Sequence, residues 1–199
     1  MSLSPDVVKK SVNIDSTKAY FDFSSMLTDY IKNYYTNQYE DIIFLCIGSD
    51  RSTGDSLGPL IGYKLEKHLS QYTHIKILGT LDRPVHAKNL EETIQHIYSS
   101  YNNPFVIAID ACLGKMDRVG CVTVNHGPLK PGTGVNKELP SVGDIHITGI
   151  VNIGGYMQYM VLQSTRLNLV MKMADTISDA IKFTLWDLNK KMFFSRYIN

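Results

Sequence analysis

The sequence predicts a three-layer α/β/α domain built around a largely parallel sheet, and three observations carry that expectation. Two continuous apolar runs, Ile42-Ile43-Phe44-Leu45-Cys46-Ile47 and Phe105-Val106-Ile107-Ala108-Ile109, have the character of strands buried on both faces. Amphipathic helical segments alternate with such strands, the pattern that produces parallel crossover connections. No internal repeat, low-complexity tract or Pro/Gly/Ser-rich linker divides the 199 residues, so a single α/β domain is expected over 1–199.

Taken in order, residues 1–16 are polar and read as flexible, and 17–40 forms an N-terminal helical segment. There Tyr20, Phe21, Phe23, Met26, Leu27, Tyr30 and Ile31 recur at helical spacing. The core follows over 41–189. Its first strand, 42–48, ends on a glycine; 57–69 then places Leu57, Leu60, Ile61 and Leu65 on one stripe. Pro59 falls in the first turn of that helix, where its missing N–H costs nothing. A short strand at 75–79, a helix at 87–101 and a second apolar strand at 104–110 complete a βαβαβ unit. Residues 120–125 alternate like a strand, 127–142 is a Gly/Pro-rich loop, and 144–151 reads as a further strand. The C-terminal helix carries Leu169, Val170, Met173, Ala174, Ile177, Ile181, Leu185 and Leu188 at i, i+3/i+4 spacing, with Ser164 or Thr165 available as its cap. Met157, Met160, Met171 and Met173 read as core packing.

Composition excludes several functions. The formal charge of +1, from 20 Lys+Arg against 19 Asp+Glu without runs of like sign, argues against a nucleic-acid surface or a polybasic membrane patch. Three scattered cysteines, Cys46, Cys112 and Cys121, form neither a disulfide framework nor a metal knuckle, and read as small buried hydrophobes. No apolar stretch approaches the roughly 20 residues needed to span a bilayer, and the first 25 residues lack a secretion signal. A cytoplasmic protein is expected, and a homo-oligomer is left open.

In an open parallel sheet, ligands gather outside the carboxyl ends of the strands where strand order reverses. If the strands follow the order 2-1-3, the loop after Gly48 and the end of the strand finishing at Asp110 face one crevice. Two carboxylates, Asp55 and Asp110, then converge. Asp55 on its own also reads as a helix N-cap, whereas Asp110 behind an apolar strand is costly to bury without a role. A carboxylate pair in one crevice splits its pKa values and divides acid and base roles, which is what activating a water against an amide requires. The glycines of Gly48-Ser49-Asp50-Arg51-Ser52-Thr53-Gly54-Asp55-Ser56-Leu57-Gly58 match neither a P-loop nor a dinucleotide fingerprint. Pro131-Gly132-Thr133-Gly134 describes a surface turn or a substrate-binding loop. A metal site would have to be assembled through space from Asp55, Asp110 and a histidine, with His126 and His146 the nearest in chain order. Cys112 lies two residues from Asp110, but no partner activates it as a nucleophile.

These residues carry a resemblance. Gly54-Asp55-Ser56-Leu57-Gly58-Pro59, Ile107-Ala108-Ile109-Asp110-Ala111 and Lys130-Pro131-Gly132-Thr133-Gly134-Val135-Asn136-Lys137-Glu138-Leu139 resemble, in order, motifs of the germination protease of spore-forming bacteria. More distantly the two-Asp pattern is similar to that of the hydrogenase maturation endopeptidases. The chain looks closest to small sporulation proteins related to germination protease. The resemblance implies a phosphorylase/hydrolase-like fold, a location inside the spore or forespore, and protein substrates such as small acid-soluble spore proteins. Asp55 and Asp110 would match the two catalytic carboxylates, with Arg51, Gly54, Ser56, Lys130, Gly132, Thr133 and Gly134 binding substrate. In the maturation endopeptidases the matching acids help bind nickel with a histidine. Lys130 here stands where the related protease loop has histidine, which speaks against a metal or a histidine-assisted mechanism. The resulting expectation is a sporulation endopeptidase using water held by two aspartates and no cofactor. The competing one is a sporulation binding or assembly protein that retains the fold.

Overall fold

The computed structural model describes residues 11–70, 72–132 and 139–197. Six strands form one sheet in the order β1-β5-β6-β4-β2-β3, where β1 is Val12–Asn13, β2 Ile42–Cys46, β3 Ile75–Leu78, β4 Phe105–Gly114, β5 Cys121–His126 and β6 Ile145–Ile153. The segment β3-β2-β4-β6 is parallel throughout, and β5 and β1 add antiparallel strands at one edge. The expected neighbourhood of the first and third apolar strands is therefore present: β2 pairs with both β3 and β4.

Alternation along β2 and β4 sends side chains to two separate cores, as a pleated strand must. Phe44, Cys46, Ile107 and Ile109 pack against α1 (Ala19–Tyr34), α2 (Leu57–Leu69) and α5 (Leu167–Tyr197). Ile43, Leu45, Val106 and Ala108 pack against Leu90 and Ile97 of α3 (Leu90–Ser100), and against Leu129 and Val142 of the long loop. Strands with both faces covered read as unbroken apolar runs, which is why these two were legible. A short helix, α4 (Gln158–Gln163), connects β6 to α5.

Two boundaries and one burial assignment differ from the sequence reading, each for a physical reason. Residues 12–13, expected in the flexible stretch, form β1: Val12 is buried and pairs with Val122, which extends the sheet by an antiparallel edge. β4 runs beyond Asp110 to Gly114 because β6 continues to pair with it after β2 has ended. Of the four methionines expected in the core, Met173 is buried in α5, but Met157 and Met160 are exposed. They sit around α4, outside the apolar register of α5.

The contact between α2 and the sheet is backbone against backbone. A Cβ at Gly58 would stand 2.1 Å from the Ile47 carbonyl oxygen, and one at Gly62 2.1 Å from that of Gly79. Neither neighbour is a side chain able to rotate away. Gly58→Ala is therefore expected to destabilise the protein by about 2–3 kcal/mol. Urea unfolding checks this; an unchanged midpoint would show that α2 shifts outward freely.

Candidate active site

β2 stops at Cys46, whose partner on β4 is Ile109, and the Ile47 N–H donates to the Ile109 carbonyl at 2.7 Å. Asp110 is the next residue of β4. On one side it is paired with Thr148 of β6, and on the other it has no strand neighbour. Its side chain leaves the sheet on the α3 face, in phase with Val106 and Ala108. The shortfall of β2 relative to β4 thus opens a notch beside Asp110.

Asp55 reaches this notch from the loop after β2. It occupies a single 3-10 turn, Gly54–Ser56, that feeds α2, and the Ser49 N–H donates to its backbone carbonyl at 3.1 Å. The N-cap position of α2 is Ser56, and no side chain caps the helix. The cap reading of Asp55 is thereby replaced: its carboxylate is not committed to the helix end. Both acids line a cleft of about 410 Å³ at the carboxyl ends of β2 and β4, together with Ser49, Arg51, His86 and Lys88. A second lobe of about 180 Å³ shares Asp55, Asp110, Gly132 and Leu162 with the first, and adds Cys112, Lys130 and Thr148. The carboxylate pair stands where the two lobes meet.

Asp110 is 8% exposed. Burial raises its carboxyl well above the ordinary carboxylate range, the charge of Asp55 pushes the same way, and the Ala111 N–H, 2.8 Å from Oδ1, opposes both. Burial also raises Asp55, but a Ser49 backbone N–H and the His86 ring pull it back. The two carboxyls are therefore unequal: Asp110 is pushed further toward its protonated form than Asp55. Cys112 borders the smaller lobe, and its thiol is pushed up to about 11 by burial and by Asp110. It stays protonated at neutral pH and is not an activated nucleophile.

Other residues singled out in the sequence divide into three groups. Arg51 borders the larger lobe, Lys130 the smaller one and Gly132 both. Gly54 and Ser56, expected to bind substrate, do not border either lobe. Gly54 backs onto α4, where a Cβ would stand 2.8 Å from Leu162 Cδ2 and from Thr165 Oγ1, and Ser56 Oγ donates to the Thr53 carbonyl at 2.7 Å. Thr133 and Gly134 lie outside the described residues. The two candidate histidines are elsewhere: His126 stacks on Tyr34 with ring centroids 3.9 Å apart, and His146 Nδ1 is 2.8 Å from the Gly127 carbonyl oxygen.

The histidine at the cleft is His86, which pattern reading missed. It follows Val85, which bridges to Ile47 in parallel and carries the chain past the end of β3. A histidine in a loop leaving the carboxyl end of a parallel strand was the available signal. The Lys88 N–H donates to His86 Nδ1 at 3.3 Å, so in the neutral ring the proton belongs on Nε2. Among the described residues no three His, Cys, Asp or Glu side chains converge as a metal-binding group. Asp55, Asp110 and His86 border one cleft without converging as a ligand set that fits a nickel ion, and no chemical step is assigned to one.

The chain belongs to the DUF1256 family, described as a protein of unknown function, whose model matches residues 11–180. It is 55% identical over 143 residues to the uncharacterized protein YyaC of Bacillus subtilis (strain 168), covering 72% of this chain and 69% of that protein. Its fold is similar to that of the [NiFe] hydrogenase maturation protease HycI from Thermococcus kodakarensis KOD1. That likeness has a TM-score of 0.50 at 16% identity, covering 78% of this chain and 98% of the other. The six-stranded, mostly parallel sheet flanked by helices is thus a fold shared with a protease, and no helix among the described residues is long and apolar enough to cross a membrane.

The electrostatics of Asp110 predict a stability profile. Its folded carboxyl titrates above its unfolded value, so across that window the native chain holds a proton that the unfolded chain has released. Its contribution to stability is complete below the unfolded value and is lost as pH rises through the folded one. Asp110→Asn is expected to abolish this decline, matching wild type in acid and melting at a higher temperature near neutral pH. Parallel melting-temperature profiles for the two proteins would remove the assignment.

Proposed function

We propose that this protein is an endopeptidase that hydrolyses an amide bond of a polypeptide with a water held between Asp55 and Asp110. The observation that carries the reading is the pair itself: two carboxylates at the junction of two lobes, one of them biased to hold a proton. Hydrolysis needs a group that accepts a proton from water and one that supplies a proton to the departing nitrogen. Asp55, kept lower by the Ser49 N–H and His86, takes the proton as the water oxygen attacks the carbonyl carbon. Asp110, protonated, donates a hydrogen bond to the carbonyl oxygen as negative charge develops there. Return of the proton from Asp55 to the nitrogen, with cleavage of the C–N bond, releases an amine and a carboxylic acid and regenerates the pair.

The lobes on either side of the acids suit a chain that continues in both directions, as a cut within a polypeptide demands. Ser52 Oγ is buried without a partner in the wall of the larger lobe, and Arg51, Lys88 and Lys130 rim the two lobes. These groups supply hydrogen bonds to a bound backbone, and the glycine at 132 leaves room for it. The likeness of the motifs to the germination protease extends the reading to a sporulation protein with small acid-soluble spore proteins as its substrates. The fold shared with HycI supports hydrolase chemistry at this end of the sheet.

Incubation of the purified protein with small acid-soluble spore proteins is expected to give discrete fragments, and Asp55→Asn or Asp110→Asn to slow their release at least about a hundredfold. Because one acid must be ionised and the other protonated, the rate should follow a bell in pH. It declines in acid as Asp55 gains a proton and in alkali as Asp110 loses one. Mass spectrometry of the digests measures both. Substrate bound equally by wild type and variants but never cut would instead favour the binding or assembly role.

A further inference from the structure

From residue 145 to 165 the chain contains no Asp, Glu, Lys or Arg. Within this stretch four apolar side chains at five consecutive positions stand in solvent: Tyr156 is 97% exposed, Met157 67%, Tyr159 58% and Met160 56%. Single exposed apolar residues are ordinary, whereas a contiguous group signals a binding surface. The group adjoins the cleft: of the four, Tyr159 lines it, and Tyr156, Met157 and Met160 flank Tyr159 in the chain. Tyr159 and Leu162 line the larger lobe, and Gln158 and Leu162 the smaller.

The rim is fixed below and bare above. Asn152 Nδ2 donates to the Val161 carbonyl and to Thr165 Oγ1, each at 3.2 Å, and Leu162 packs against Gly54. Met157 is held in the left-handed region at φ 56°, a conformation unfavourable for a side chain of this size.

We propose that this lip is a docking surface for apolar side chains of the polypeptide that occupies the cleft, on the stretch flanking the bond to be cut. The identity of the occupant rests on the endopeptidase reading. A chain seated between Asp55 and Asp110 leaves either lobe past α4, so the lip meets it first. Having no charge, the lip rewards neither an acidic nor a basic partner. Two tyrosines and two methionines offer broad apolar contact, and the unbranched methionines adapt to differing side chains. The lip selects extended, apolar sequence around the cut, and the acids act on whatever backbone it presents.

The test uses the full chain, a fluorescein-labelled peptide of alternating Leu and Ser, and a counterpart with every Leu replaced by Ser. Anisotropy should report binding of the Leu/Ser peptide to wild type and to Asp110→Asn alike, weakened at least about tenfold by the double variant Met157→Ser/Met160→Ser. The all-Ser peptide should not bind, and circular dichroism should show the variants folded. Equal affinity of wild type and the double methionine variant overturns the proposal. So does a wild-type dimer in sedimentation, or binding to neutral phosphatidylcholine vesicles, that the methionine substitutions abolish while peptide affinity stays the same. A Leu/Ser peptide bound through the lip but left intact upholds the surface and counts against hydrolysis. Cleavage of spore proteins undiminished by the double variant upholds hydrolysis and removes the lip.

Discussion

The close approach of α2 to the sheet is the constraint on which the rest of the carboxyl end depends. Gly48, at φ +140°, lies so near the Asp55 carbonyl that a Cβ would stand 2.0 Å from it, and Gly58 lies equally close to Ile47. With hydrogen for side chains at these points, the loop after β2 folds flat and α2 starts directly over the strand end. Leu57, Ile61 and Leu65 then bury their side chains in one core, and the single turn ahead of them brings Asp55 over the notch beside Asp110. A bulkier residue at either glycine would lift the turn, and with it the carboxylate.

The second half of the arrangement comes from unequal strands. β4 outlasts β2 because β6 supplies it with a partner to the end, so Asp110 keeps one hydrogen-bonded side and exposes the other to the cleft. Among the described residues no ion pair reaches this buried carboxylate. In such surroundings a second negative charge nearby is expensive, and the charge of Asp55 adds to burial in raising the Asp110 carboxyl. The asymmetry between the acids then follows from small local differences. Asp55 has a Ser49 N–H and the His86 ring on its side, while among the described residues Asp110 has the N–H of its own neighbour, Ala111.

Much of this was legible in the sequence, and the failures have a common cause. The strands buried on both faces announced themselves as apolar runs, and Leu57–Leu69 was visible from its stripe and its early proline. The convergence of Asp55 and Asp110 followed from strand order alone. What periodicity could not convey was the end-on geometry of loops. His86 lies in a segment with no repeating pattern and is brought to the cleft by one bridge between Val85 and Ile47. Gly54 and Ser56 adjoin Asp55 in the chain, yet face α4 and Thr53, because consecutive residues of a tight turn point in different directions. Met157 and Met160 looked like core because methionine usually is. Their exposure depends on α4 being a separate short helix, which is decided by the bonds that Asn152 makes across the bend.

One packing contact joins the proposed lip to the proposed catalytic pair. Leu162 lines both lobes of the cleft, anchors the helix that carries Tyr159 and Met160, and rests on Gly54, the residue before Asp55. Leu162 Cδ2 and the Leu162 carbonyl oxygen both stand against the bare face of Gly54, so α4 and the Asp55 turn are in direct contact. On the proposed reading, a polypeptide pressing on the lip would bear on the turn that carries Asp55. On the endopeptidase reading, the same contact would link what is bound on the lip to how far Asp55 raises the Asp110 carboxyl.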